Sequence, residues 1–475
     1  MKLKVVDVLE ACQGTLLQGD AQKDITGVCF DTRKIQSDEL FVALVAERDG
    51  HDFIPAALKG GAGALLVSRS DLRDIPEGVS VVQVADTLDA LGQLAAFYRQ
   101  RFQKEYQLGG IAAVTGSNGK TTTKEMLARI LSQCGPTLYT EGNFNNLIGL
   151  PLTVFRLEEA HQFAVLEMGM NAPGEIAQLA KMGGPDVGII TNVAAAHLEG
   201  LGSIEGVAKA KGELFDALTS ENTAVINADD PHILEMGRKL TCKKIYFSSK
   251  TQPEPETPTD GLFFYPEALE TLGVEGSRFQ VKWPEKPAFK VQLPLLGPHQ
   301  VSNAMAALSA AYALGATPEA VQEGLSMVVP TGRRMRLVQA NAGIQMLDDC
   351  YNSNPSSCLA ALKTLKDLRG DAPSFVVFGD MLEMGEHAQR VHTDVGRYVA
   401  ELGASRLFAF GSASADMCVG AKEAGMDAEL VQHFTDIEDL WSALQPHLKP
   451  DSWVLIKGSR GMRLERISQK IEALS

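Results

Sequence analysis

The stretch TGSNGKTTTKE, residues 115–125, gathers glycines, a lysine and a run of hydroxyl residues between an apolar run, GGIAAV, and a helix-like one, TTTKEMLARIL. A strand that stops at such a loop and restarts as a helix aims backbone N–H groups and the positive end of the helix dipole at one spot, which is how a phosphate is held. Lys120 adds a point charge, and Thr121 offers a hydroxyl to a magnesium ion. The usual spelling of a phosphate loop places a glycine at 114, where this chain has Val114. What remains is a shorter form, Gly116-x-x-Gly119-Lys120-Thr121. Thr115, Gly116, Ser117, Asn118, Gly119, Lys120, Thr121 and Thr122 together form the candidate nucleotide site.

Two polar groups recur at strand ends near this loop. Glu167 closes the apolar run FAVLEM, and His197 lies just past PDVGIITNV. Groups at the carboxyl ends of neighbouring parallel strands converge on one crevice, and beside a phosphate loop a carboxylate and an imidazole suit magnesium or phosphate. The bland alternatives are a solvated strand-end carboxylate and a loop histidine. In SIEGVAKAKGELFDAL (203–218), Ile204, Val207, Ala208, Leu214, Phe215 and Leu218 form a helical stripe, and Lys211 falls within it while Lys209 points elsewhere. A lysine on a burying face either snorkels or carries a depressed pKa and a reactive neutral amine. Further on, TGRRMRL (331–337) clusters arginines and LDDCYNSNP (347–355) supplies Asp and Asn. These suit a nucleotide held between two units, or equally a solvated interdomain turn.

The elements that must position these residues alternate. Short strands and turns fill 25–85, a helix covers LDALGQLAAFYRQRF, and strands at FAVLEM, PDVGIITNV and TAVIN are separated by helical pattern, which predicts a mostly parallel α/β sheet. RFQVKW and AFKVQLPL read as a hairpin across PEKP, and TQPEPETPTDG (251–261) reads as a surface loop. FVVFGD, RLFAFGS and WVLIKGS predict a second doubly wound sheet with its ligand edge at the strand carboxyl ends. At about 100–200 residues per domain, 475 residues give about three domains. A formal net charge of -15 excludes a general binder of nucleic acid or anionic membrane, so an anionic substrate needs a local basic pocket. Asp7 and Glu10 interrupt any export signal. The apolar run at 303–316 is too short to span a bilayer and reads as a packed helix. Seven dispersed cysteines without CxxC spacing predict free thiols in a reducing cytoplasm.

These elements in this order resemble the Mur ligase family of ATP-dependent amide-forming enzymes. The resemblance runs from about residue 25 to the C-terminus, through DTRKIQSDELFVAL, ERDGHDF, TGSNGKTTTKEM, EGNFNNLIGLPLT, LEMGMNAPGEI, NVAAAHLEGLGS, AKAKGELF, GPHQVSNAMAA, GRRMR, LDDCYNSNP, GDMLEMGE and KGSRG. The phosphate-loop form is common to the family, whereas NFNNLIGLPLT, AHLEGLGS, DDCYNSNP and GDMLEMGE point to the branch that adds D-alanyl-D-alanine to UDP-N-acetylmuramoyl-tripeptide. The resemblance implies three α/β domains: a UDP-precursor-binding domain at 1–85, a central P-loop ATPase-like domain at 86–329 and a Rossmann-like domain at 330–475. It implies a cytoplasmic monomer with no nucleic-acid partner and no stable membrane insertion.

By the same resemblance, Gly116, Gly119 and Lys120 hold the ATP phosphates, and Thr121 and Glu167 hold one Mg2+ ion. His197 holds a second, and Lys211 is carbamylated by CO2 to give a further metal-binding carboxylate. Asn303 contacts adenine, Arg333 and Asp349 serve phosphate and ribose, Thr32 and Arg33 face the UDP group, and Lys457, Ser459 and Arg460 lie near the incoming peptide. The chain departs from the family in having Gln300 in GPHQVSN, Tyr351 where the D-glutamate-adding member has lysine, and Arg334 as a second arginine beside Arg333. The implied reaction forms an acyl phosphate from the tripeptide carboxylate and ATP. The competing readings are a sibling ligase, including a folate-extending one, and a nucleotide-switched binding protein. The DTRKIQSDELFVAL pattern counts against the folate enzyme.

Overall fold

The computed structural model describes residues 3–252, 258–340 and 342–474. The expected surface loop at 251–261 falls partly outside them. Three sheets organise the chain. The first has five strands in the order Thr15–Gln18, Ser80–Gln83, Ala64–Val67, Leu40–Val42 and Val28–Cys29, parallel except for its first pair. Of the strand expected over ITGVCFDTR, only Asp24–Ile25 and Val28–Cys29 form, so DTR lies in the loop beyond a strand end. The helix Thr87–Glu105 then packs against both the N-terminal helix Val5–Cys12 and the helix Glu175–Gly183.

The second sheet has seven parallel strands in the order Leu262–Phe264, Lys243–Phe247, Thr223–Asn227, Val187–Ile190, Gly110–Thr115, Phe163–Glu167 and Thr137–Tyr139. Its strands are nearly continuous apolar runs because helices cover both faces. The first of them in the chain, Gly110–Thr115, lies inside the sheet. The chain next builds the edge on one side and then crosses to the other, so a crevice opens beyond the carboxyl end of Gly110–Thr115. In register, Glu167 pairs with Val114 and Ile190 with Thr115, which brings three strand ends to one level. The hairpin expected from RFQVKW and AFKVQLPL forms as Ser277–Val281 and Phe289–Leu293. The apolar run near 303–316 is the buried helix His299–Ala313, packed on the helix Lys120–Ser132.

The third sheet has six strands, with Arg336–Gln339 antiparallel to Gln345–Asp349, followed by Trp453–Lys457, Ser374–Gly379, Arg406–Phe410 and Val431–Phe434 in parallel. This is the expected second doubly wound sheet. Among the described residues no helix is long and apolar enough to cross a membrane, and all seven cysteines are free thiols.

Candidate active site

The loop after Gly110–Thr115 has a shape that only its glycines permit. Gly116 has φ 147° and Gly119 φ 80°, where side chains are strained. A Cβ on Gly116 would stand 1.9 Å from Thr191 Oγ1, and one on Gly119 would stand 2.2 Å from Asn303 Oδ1. The next strand end clamps the loop from below: Thr191 Oγ1 donates to Asn118 O at 2.6 Å, and the Asn118 N–H donates to Asn192 Oδ1 at 2.9 Å. Ser117 Oγ donates to Ala194 O at 2.9 Å and accepts from the Ala194 N–H at 2.9 Å. Gly119 caps the helix Lys120–Ser132, whose N-terminus therefore opens onto the loop. Lys120 Nζ folds back to Gly116 O at 2.7 Å. Burial pushes its pKa down, Glu167 draws it back up, and Arg334 pushes it down again. Three charged groups thus share the crevice.

Glu167 is 2% exposed. Its backbone N–H donates to Thr140 Oγ1 at 3.0 Å, Asn145 Nδ2 donates to its Oε1 at 2.8 Å, and its Oε2 is buried without a hydrogen-bond partner. Lys211 is 1% exposed, on the inward face of the helix Ile204–Asp216, while Lys209 is exposed. Ile204, expected in the same stripe, is 39% exposed because it opens the helix beside its cap, Ser203. Burial and the nearby Lys120 charge push the Lys211 pKa well down, and among the described residues no carboxylate pairs with it. No three His, Cys, Asp or Glu side chains converge here as a ready-made metal cluster among the described residues. A divalent ion bound at this crevice would therefore share its shell with phosphate oxygens and water, which is how magnesium is commonly held.

The third sheet's unit closes against this crevice. Asn118 exchanges amide contacts with it: Asn118 Nδ2 donates to Ser356 Oγ at 2.8 Å, and Asn354 Nδ2 donates to Asn118 Oδ1 at 2.8 Å. Asn354 also caps the helix Pro355–Arg369, so one residue fixes both the helix start and the interdomain contact. His197, at φ 55°, meets Glu383, with Nδ1 2.6 Å from Oε2.

Several expected residues are held by protein partners. Arg333 is engaged by the buried Asp348, so its guanidinium is not the one directed at the loop. Arg334 lies 3.7 Å from the centre of the Tyr351 ring and is the arginine whose charge Lys120 feels. Asp349 accepts from the Met335 N–H at 3.0 Å and from Lys457 Nζ at 2.6 Å, so it and Lys457 neutralise each other. Lys457 also donates to Asn352 O at 2.9 Å, and Ser459 Oγ accepts from the Leu382 N–H at 2.9 Å. Both are buried, whereas the Arg460 side chain is exposed. Asn303 packs at Gly119 and donates to Gln300 Oε1 at 2.9 Å, placing it beside the phosphate loop. Thr32 and the exposed Arg33 lie in the loop after Val28–Cys29, with Arg33 held by Asp31 through two bonds of 2.8 Å. Sequence reasoning gave no role to Asn145 or Glu383. Both lie within motifs it had quoted, NFNN and GDMLEMGE, and the missing signal was which strand end each would face.

Comparison with known proteins agrees with this architecture. Residues 114–311 match the Mur ligase middle domain and residues 333–460 match the Mur ligase glutamate ligase domain. The chain is 36% identical, over 98% of each chain, to UDP-N-acetylmuramoyl-tripeptide–D-alanyl-D-alanine ligase of Bacillus subtilis (strain 168). Among solved structures it is similar to MurF from Acinetobacter baumannii, with TM-score 0.88 and 31% identity over 100% of this chain and 99% of that one. It is also similar to MurF ligase from Thermotoga maritima in complex with ADP, with TM-score 0.79 and 26% identity over 94% and 96%.

Proposed function

This chain belongs to the Mur ligase family, and from that premise we infer that it is an ATP-dependent, ADP-forming ligase that joins D-alanyl-D-alanine to UDP-N-acetylmuramoyl-tripeptide in peptidoglycan synthesis. Amide formation from a carboxylate needs an activated acyl group. The tripeptide's terminal carboxylate attacks the γ-phosphorus of ATP, releasing ADP and forming an acyl phosphate. The amine of D-alanyl-D-alanine then attacks the acyl carbon, and phosphate leaves with the C–O bond electrons. The loop N–H groups and Lys120 hold the triphosphate and offset its repulsion of the incoming carboxylate. Arg334 adds charge from the closing unit. Closure through Asn118, Asn354 and Ser356 excludes the water that would hydrolyse the acyl phosphate.

The residues fit Mg2+: Thr121 and the unpartnered Glu167 Oε2 are hard oxygen donors beside the loop, and His197 offers Nε2 to a second ion. Bound there, Mg2+ supplies Lewis-acid neutralisation of the phosphate charge. Lys211 is suited to capture CO2, its neutral amine forming an N–C bond and losing a proton to give a carbamate that would add oxygen donors for a metal ion. We assign the UDP end of the precursor to the loop of Thr32 and Arg33, and the incoming dipeptide to the surface near Arg460. Domain limits at 1–85, 86–329 and 330–475, a cytoplasmic location and a monomeric state complete the reading. The observation that carries it is Glu167 Oε2, a buried carboxylate oxygen without a partner next to a phosphate loop. Phosphate release from ATP, with the tripeptide precursor and D-alanyl-D-alanine supplied singly and together, tests it. Release only with both supports the ligase. Release independent of D-alanyl-D-alanine would favour a nucleotide-switched binder.

A further inference from the structure

His197 and Glu383 meet across two units of the fold, and the meeting is more than one bond. The Glu199 N–H donates to Glu383 O at 3.1 Å, and His387 Nε2 lies 3.4 Å from Gly202 O. Both His197 (φ 55°) and Glu383 (φ 63°) adopt the left-handed backbone that residues with a Cβ avoid. Such strain persists only where surrounding structure imposes it. On the C-terminal side that structure is rigid: the Met381 N–H donates to buried His392 Nε2 at 2.9 Å, and the Leu382 N–H donates to Ser459 Oγ at 2.9 Å. An ionised carboxylate only accepts hydrogen bonds, so contact with Oε2 places a proton on His197 Nδ1 and selects, for the neutral ring, the tautomer whose lone pair is on Nε2. Metal-binding histidines are commonly oriented in this way by a carboxylate on their other nitrogen. Here that carboxylate belongs to a different unit of the chain from the histidine.

We propose that Glu383 is a positioning residue for His197, presenting the imidazole in one tautomer only when the C-terminal unit is docked. Closure thereby completes the crevice. This rests on the reading of His197 as a magnesium ligand, and the test separates the two. Mg2+ is titrated calorimetrically into the full-length enzyme saturated with ADP, for wild type, Glu383→Ala, Glu383→Gln, His197→Ala and the His197→Ala/Glu383→Ala double variant, with kcat and KM measured in parallel. Glu383→Ala weakens Mg2+ binding and lowers kcat by about 10- to 100-fold. Glu383→Gln, whose amide oxygen still accepts from Nδ1–H, recovers most of both, and KM for the tripeptide precursor stays unchanged. In the His197→Ala background, Glu383→Ala costs nothing further. An equal cost of Glu383→Ala with and without His197, or wild-type Mg2+ affinity in Glu383→Ala beside a loss in His197→Ala, overturns the proposal. If His197→Ala keeps wild-type Mg2+ affinity, the metal reading of His197 fails. The kcat cycle then decides the positioning role alone: non-additive losses uphold it and additive losses overturn it.

Discussion

Replacing Lys211 with methionine, which keeps an unbranched stem and removes the amine, should change how stability depends on pH. Lys211 is 1% exposed and lacks a carboxylate partner among the described residues, and burial with the Lys120 charge holds its pKa well below the lysine range. The folded chain therefore releases a proton that the unfolded chain keeps up to about pH 10.4. Between those two values the unfolded state binds one proton more, so wild-type stability rises with pH by about 1.4 kcal/mol per unit. K211M has no such proton. Between about pH 8 and about pH 9.5, wild type should gain stability relative to K211M, by at most about 1.4 kcal/mol per pH unit, and K211M should hold its largest advantage at the lower pH. Urea unfolding of both proteins in CO2-free buffer at the two pH values measures the difference. Parallel stability changes would show that Lys211 keeps its proton when folded, which removes the neutral amine that carbamate formation needs.

Other outcomes follow from the same geometry. Lys211→Ala should lower turnover by about 100-fold or more in a bicarbonate-containing phosphate-release assay, and full activity would return Lys211 to a packing role. Arg334→Ala should raise KM for ATP about tenfold through loss of a charge-assisted contact. Arg333→Ala should instead cost about 2 kcal/mol or more in urea unfolding by leaving Asp348 short of a partner, and a reversal of the two phenotypes would refute the assignment. Gly119→Ala forces a Cβ to 2.2 Å from Asn303 Oδ1 at φ 80°, so ADP binding measured by calorimetry should be lost. Gly142→Ala, at φ 55° with nothing within 4 Å, should cost only about 1–2 kcal/mol of backbone strain and bind ADP normally.

How much of this was legible in sequence depends on the range of the interaction. The phosphate loop is local: strand, glycines, lysine and helix are contiguous, so its chemistry and position could both be read from 110–132. Lys211 was legible because helical periodicity marks a buried face, although Ile204 showed that the stripe frays at a helix end. Glu167 and His197 could be placed at strand ends by the alternating pattern, but their partners could not. Asn145 and Glu383 reach them from elsewhere in the chain, and no spacing rule links residues 197 and 383. The choice between Arg333 and Arg334 stayed open in the sequence for the same reason, because it depends on which arginine the buried Asp348 engages and which stacks on Tyr351. The Lys457–Asp349 pairing was likewise invisible until the register of two strands put those residues opposite each other.

The central claim is that ATP activates the tripeptide's carboxylate as an acyl phosphate. Supplying UDP-N-acetylmuramoyl-tripeptide with 18O in its terminal carboxylate, together with ATP and D-alanyl-D-alanine, and weighing the released phosphate by mass spectrometry tests this directly. The account predicts that each phosphate carries one 18O atom, taken from the carboxylate when the amine expels it, while the new amide keeps the other. Unlabelled phosphate from a reaction that still yields the pentapeptide product would contradict it.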